Sequence, residues 1–259
     1  MRLNWEGHSV AVDVRGQGEP LVFIHGFPLD GRMWNRQVSE LEADYQTIVV
    51  DLPGFGESEP AADTMTMELF ADVIDAVLDQ LEVRTPVTLC GLSMGGYVAF
   101  AFYRKYAERV GRMILCDTKA VADTEEKQRE RQEMAEKVLD QGLAFLAASM
   151  IPNLVAPGAA ADVVSEAEEM AQRASPRGVA GALRGMASRE DSTELLSRIA
   201  VPTLVICGEA DTVSPVNEMR GIAGAISGAR FEEIPSAGHL APMENPEVVN
   251  RVIREFLAG

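Results

Sequence analysis

The chain has 259 residues, 47% hydrophobic and 24% charged, enough for one large buried core under a normally solvated surface; disorder is excluded as the default. Its 40 acidic residues outnumber 23 basic ones, and the net charge of −17 repels nucleic acid and anionic lipid at long range, so neither is an expected partner. No apolar run reaches membrane-spanning length, and Met1–Val14 lacks the basic-then-apolar layout of a secretion signal, so a cytoplasmic protein is expected.

Leu3–Val14 alternates at Val10, Val12 and Val14, which predicts an antiparallel hairpin at a sheet edge. Short apolar runs at Leu21–His25, Thr47–Asp51, Val87–Cys90, Met113–Cys116 and Thr203–Cys207 read as buried parallel strands, with Arg230–Ile234 as the last. Helical stripes separate them: Met67–Leu81, Tyr97–Tyr106 and Pro246–Leu257, the last with proline suited to a first helical turn. Strand and helix in alternation predict an α/β fold, a mostly parallel sheet with helices on both faces. From Lys119 to Ser197 no strand-like run occurs, and a helical insertion is more economical than a bare loop of that length. The expected organisation is a core of residues 1–118 and 198–259, with 119–197 inserted as a helical cap over the site. Cys90, Cys116 and Cys207 each end a strand-like run; their odd number and spacing argue for buried core residues and against a disulfide framework or a metal site.

Val87–Cys90 runs into Gly91-Leu-Ser93-Met-Gly95 and then a helix, the context in which Gly-x-Ser-x-Gly forms a sharp corner that exposes the serine. A serine hydroxyl needs a base, and the chain offers only His8, His25 and His239. His239 lies in the turn-rich loop Ser236-Ala-Gly-His-Leu-Ala-Pro before the last helix and is the best base. His25 reads as a structural residue that orients its loop, and His8 as surface or edge packing. For the carboxylate that supports the base, Asp211 after Thr203–Cys207 is preferred, because Ser, Asp, His is the expected chain order; Asp117 after Met113–Cys116 is the rival. Oxyanion donors are expected from the backbone N–H groups of Met94 and Phe27, since Pro28 has none.

Together, His25-Gly-Phe-Pro, Asp51-Leu-Pro-Gly-Phe-Gly-Glu-Ser58, Gly91-Leu-Ser-Met-Gly-Gly96, Gly208-Glu-Ala-Asp211 and Gly238-His239 resemble the α/β-hydrolase superfamily in order and spacing. The resemblance implies an eight-stranded sheet, a lid after the sixth strand and no cofactor; Asp51–Ser58 is then a structural turn and not a phosphate loop. Ser93 at the elbow argues against the dehalogenase and epoxide-hydrolase branches, which use aspartate there. The loop His25–Trp34 looks like that of cofactor-free aryl esterases and perhydrolases, and Cys90–Gly96 is similar to enol-lactonases. A carboxylic-ester hydrolase for small or medium substrates is therefore expected, with Phe27, Trp34, Tyr97, Met150 and Leu240 near the substrate. A lactonase, a carbon–carbon bond hydrolase, a perhydrolase side activity or a non-catalytic receptor are the alternatives on the same fold.

Overall fold

In the computed structural model, which describes residues 1–259, eight strands form one sheet: β1 (Arg2–Trp5), β2 (His8–Arg15), β3 (Glu19–Ile24), β4 (Tyr45–Val50), β5 (Val87–Leu92), β6 (Val110–Cys116), β7 (Thr203–Gly208) and β8 (Arg230–Ile234). Their spatial order is β1-β2-β4-β3-β5-β6-β7-β8. The β1–β2 hairpin pairs antiparallel, as does β2 with β4, and every other pairing is parallel. β7 is buried along its whole length, so its sequence is continuously apolar. β2, second from the edge and wet on one side, alternates instead.

Side chains divide by strand parity between two cores. Val22 and Ile24 of β3, with Val205 of β7, face one core; Leu21, Phe23, Leu204 and Ile206 face the other. The first is closed by α2 (Met67–Gln80), α3 (Met94–Tyr106) and α9 (Val216–Ala225), the second by α1 (Asn35–Leu41) and α11 (Pro246–Ala258). The short α10 (Ala241–Glu244) precedes α11. No helix is long and apolar enough to cross a membrane.

Between β6 and β7 the chain forms α4 (Glu125–Gln141), α5 (Ala144–Met150), α6 (Ala161–Arg173), α7 (Pro176–Ala187) and α8 (Thr193–Leu196), with no strand. Thr124 caps α4 by accepting from the Lys127 amide, and Ser175 caps α7 with Pro176 in its first turn. α4 lies along α7, and α7 is joined to the core backbone to backbone. A Cβ on Gly178 would stand 2.4 Å from the Gly54 Cα, so glycine is required there by close approach. Two amide bonds flank this contact, Ser175 N to Gly54 O at 2.9 Å and Met65 N to Gly181 O at 3.0 Å.

Candidate active site

Ser93 stands between β5 and α3 with φ 54° and ψ −112°, a conformation costly for a side-chain-bearing residue. Its surroundings enforce it. The Ser93 amide donates to Cys116 O at 2.9 Å, and Thr118 Oγ1 donates to Ser93 O at 2.7 Å. The flanking glycines are needed because a Cβ on Gly91 would meet Gly95 O at 2.3 Å and one on Gly95 would meet Ile24 O at 2.2 Å. The corner thus turns the serine side chain away from the sheet and into a cavity.

That cavity, of about 370 Å³, is lined by Ser93 and His239 together with Phe27, Tyr97 and Met150. Helices of the β6–β7 segment close it from above through Met134, Leu183 and Met186. His239 is buried in the loop between β8 and α10, and its Nδ1–H donates to Asp211 Oδ2 at 2.8 Å. Asp211 Oδ1 accepts from the amides of Val213 at 2.7 Å and Ser214 at 3.0 Å. Burial works against ionising Asp211, but the imidazole and these amides outweigh it and hold the carboxyl below its ordinary value.

Asp117, the rival carboxylate, makes no hydrogen bond to His239. Its Oδ1 accepts from the Gly208 amide at 2.7 Å, while Oδ2 is sealed from solvent without a partner. Burial, and then the nearby Asp211, push the Asp117 carboxyl well above its ordinary value and favour its protonated form. Oxygens of Asp117 and Asp211 and the Cys207 sulfur lie within 4.8 Å of one another. With burial favouring the protonated form of Asp117 and Asp211 already holding three N–H donors, the trio is poorly suited to a cation.

The loop after β3 lies against the serine: a Cβ on Gly26 would be 3.5 Å from Ser93 Cβ. The amides of Phe27 and Met94 make no hydrogen bond within the protein, unlike those of Leu29 and Gly96 beside them. His25 holds this loop in place. Its Nδ1–H donates to Gly26 O and its Nε2 accepts from the Leu52 amide, both at 3.0 Å, which fixes the neutral ring; burial pushes its pKa down. Asp51 ties its own turn by accepting from Gly31 at 2.8 Å and Glu57 at 2.9 Å. His8 sits on the edge hairpin opposite Trp5.

Two residues expected near substrate are elsewhere. Trp34 is 0% exposed and stacks at 5.0 Å on Phe23, and Leu240 is 1% exposed; both belong to the core on the opposite side of the sheet from Phe27 and Tyr97. Proximity in sequence to a site loop does not set the face on which a side chain is buried. Two residues that sequence reasoning missed are Glu244 and Arg131. Glu244 accepts from Gly238 and Leu240, on either side of His239, and from Ala156 in the overlying segment, at 2.9, 3.2 and 2.7 Å. A lone acid just after the apolar run Leu240–Met243 was the available signal. Arg131 lines the cavity from α4.

The sequence model describing the alpha/beta hydrolase fold matches residues 19–246. The chain belongs to the alpha/beta hydrolase fold family. Among its relatives, 3-oxoadipate enol-lactonase 1 of Acinetobacter baylyi is 30% identical over 267 residues, spanning 99% of this chain and 96% of that protein. A thermophilic esterase from Thermogutta terrifontis, whose structure has malate bound, shares 43% identity and a TM-score of 0.97 over 100% of this chain and 98% of that one. The enol-lactonase of Burkholderia xenovorans LB400 superposes with a TM-score of 0.90 at 25% identity, with both chains covered fully. The likeness to these two structures extends across this whole chain.

Proposed function

We propose that this alpha/beta hydrolase cleaves carboxylic esters of small or medium size through an acyl-enzyme. The observation that carries the reading is the single cavity holding Ser93 on a strained corner and a His239 ring whose far nitrogen is bound to Asp211. In this mechanism His239 Nε2 removes the Ser93 proton as Oγ attacks the ester carbonyl. The amides of Phe27 and Met94 hold the negative oxygen, and Asp211 stabilises the imidazolium. His239 then protonates the departing alcohol. A water, deprotonated by the same ring, releases the acid and restores Ser93.

A lactone is an ester closed on itself, and its opening uses the same steps with the alcohol retained in the product. The enol-lactonase relatives favour this second reading. Hydrolysis rates across p-nitrophenyl esters of increasing acyl length, beside a small lactone panel, test both. The expected outcome is a maximum at short or medium chains, since the cavity is about 370 Å³ and α4 is too charged for lipid docking. Efficient hydrolysis of long-chain triglyceride at an interface would overturn the size class. Tight binding of esters without any turnover would favour a receptor.

A further inference from the structure

The charge on the cavity wall points to the substrate. α4 contributes Lys127, Glu130 and Arg131 to the lining, and Lys127 and Glu130 neutralise one another at 2.8 Å. Arg131 is different. Its Nε donates to Asp123 Oδ2 and Nη1 meets the Met186 sulfur at 3.5 Å, while Nη2 has no protein partner. Asp123 is also claimed from its other side by Arg189, whose Nη1 is 2.7 Å from Oδ1. The three side chains are only 15%, 6% and 5% exposed for Arg131, Asp123 and Arg189. Two guanidiniums therefore share the one carboxylate of Asp123 beside the cavity wall.

Arg189 is fully engaged: it donates to the carbonyls of Met186 and Val121 at 3.0 and 2.8 Å and lies 4.3 Å over the Tyr97 ring. Of the two, Arg131 is the one that lines the cavity and keeps a donor edge without a protein partner. A chain with net charge −17 has acids to spare on α4 itself, yet Glu125 reaches toward Arg129 and Glu136 toward Arg184. The open Nη2 edge on the cavity wall is free to receive an anion, and a guanidinium fork suits a carboxylate.

We infer that the substrate is an ester or lactone bearing a free carboxylate on a short aliphatic spacer, with Arg131 binding that carboxylate and Met134, Leu183 and Met186 packing the spacer. This rests on the hydrolase reading above for the bond cleaved, but the carboxylate site itself does not. The p-nitrophenyl monoester of glutarate, anionic at neutral pH, is compared with the p-nitrophenyl ester of monomethyl glutarate, which is neutral and of similar shape. Wild type should favour the anionic ester in kcat/KM, and Arg131→Met should lower the anionic-to-neutral ratio by about 10- to 100-fold, as expected for one charge-assisted hydrogen-bonding pair. Arg131→Lys should retain part of the preference, because it keeps the charge and loses the fork.

A wild type indifferent to the charge, or a ratio unchanged in Arg131→Met, overturns the inference while leaving the hydrolase reading intact. If neither ester is turned over, the hydrolase reading fails, and calorimetry with glutarate then decides the carboxylate site. Binding that is weakened in Arg131→Met supports the site; no binding to wild type refutes it. Should Arg131→Met not fold, calorimetry of wild type with glutarate against neutral glutaramide decides in the same way.

Discussion

Replacing each of the two buried carboxylates by its amide separates their roles. Oxygens of Asp117 and Asp211 lie within 4.8 Å, and at an effective dielectric of 20 two full charges at that distance repel by about 3.5 kcal/mol. His239 and two amides favour the charged form of Asp211, while burial favours the protonated form of Asp117. Asp211→Asn should therefore cost up to roughly 10⁴-fold in kcat, by disturbing the imidazole tautomer and removing the counter-charge. Asp117→Asn removes a charge that burial already disfavours and keeps an oxygen for the Gly208 amide, so its effect should stay within about 1 kcal/mol, or roughly fivefold. Both are read as kcat and kcat/KM on one activated ester, with circular dichroism to confirm folding. The reverse ranking would refute the assignment. Stability gives a second test with a definite sign. Burial raises the native Asp117 pKa above the unfolded value of about 3.9, so on this reading the group lowers wild-type stability as pH rises from there toward its elevated native value. The melting temperature of Asp117→Asn minus that of wild type should accordingly grow from about pH 4 upward. A constant or shrinking difference would show Asp117 to be ionised in the native protein.

Ser93→Ala should abolish ester turnover, by about 10⁴-fold or more, with an unchanged far-ultraviolet spectrum; near-wild-type rates in pure variant would exclude Ser93 as nucleophile. Trp34→Ala should cost about 3–5 kcal/mol in denaturant unfolding, while KM per folded molecule stays unaltered, since the indole packs on Phe23 away from the cavity. A large KM change would place it back at the site. Gly178→Ala drives a methyl into the Gly54 backbone and should lower stability by about 1–3 kcal/mol; an unchanged melting temperature would mean that α7 can lift off the core.

The strands were legible because burial on both faces of a parallel sheet leaves uninterrupted apolar runs, as in Thr203–Cys207. The corner at Ser93 was legible because it needs glycine at 91 and 95, and His239 stood out as the candidate base because so few histidines compete. The choice between Asp117 and Asp211 had only chain order behind it, since both leave the ends of neighbouring parallel strands; the backbone amides of Val213 and Ser214 that receive Asp211 appear only in three dimensions. Trp34 and Leu240 were misplaced for a related reason: sequence shows that a residue is apolar and near a loop, but not which of two cores it enters. Arg131 was hidden in a helix so charged that it reads as solvated surface. Its buried partner Asp123 lies in the loop before α4 and Arg189 beyond the end of α7, and no local pattern joins them.

The joint between Gly178 and Gly54 makes one side of the overlying helices a fixed lintel. A side chain at Gly185 would likewise collide with the Met65 carbonyl, at 1.8 Å, so the contact runs along α7 and has no slack for a pivot. Changes in the bore of the cavity have to come from the opposite wall, where Leu146, Met150 and Met134 meet the cavity through side chains. Divergence in substrate size between this chain and its relatives, or diversification in the laboratory, should therefore accumulate on α4 and α5, with α7 serving as the datum from which the aperture is measured.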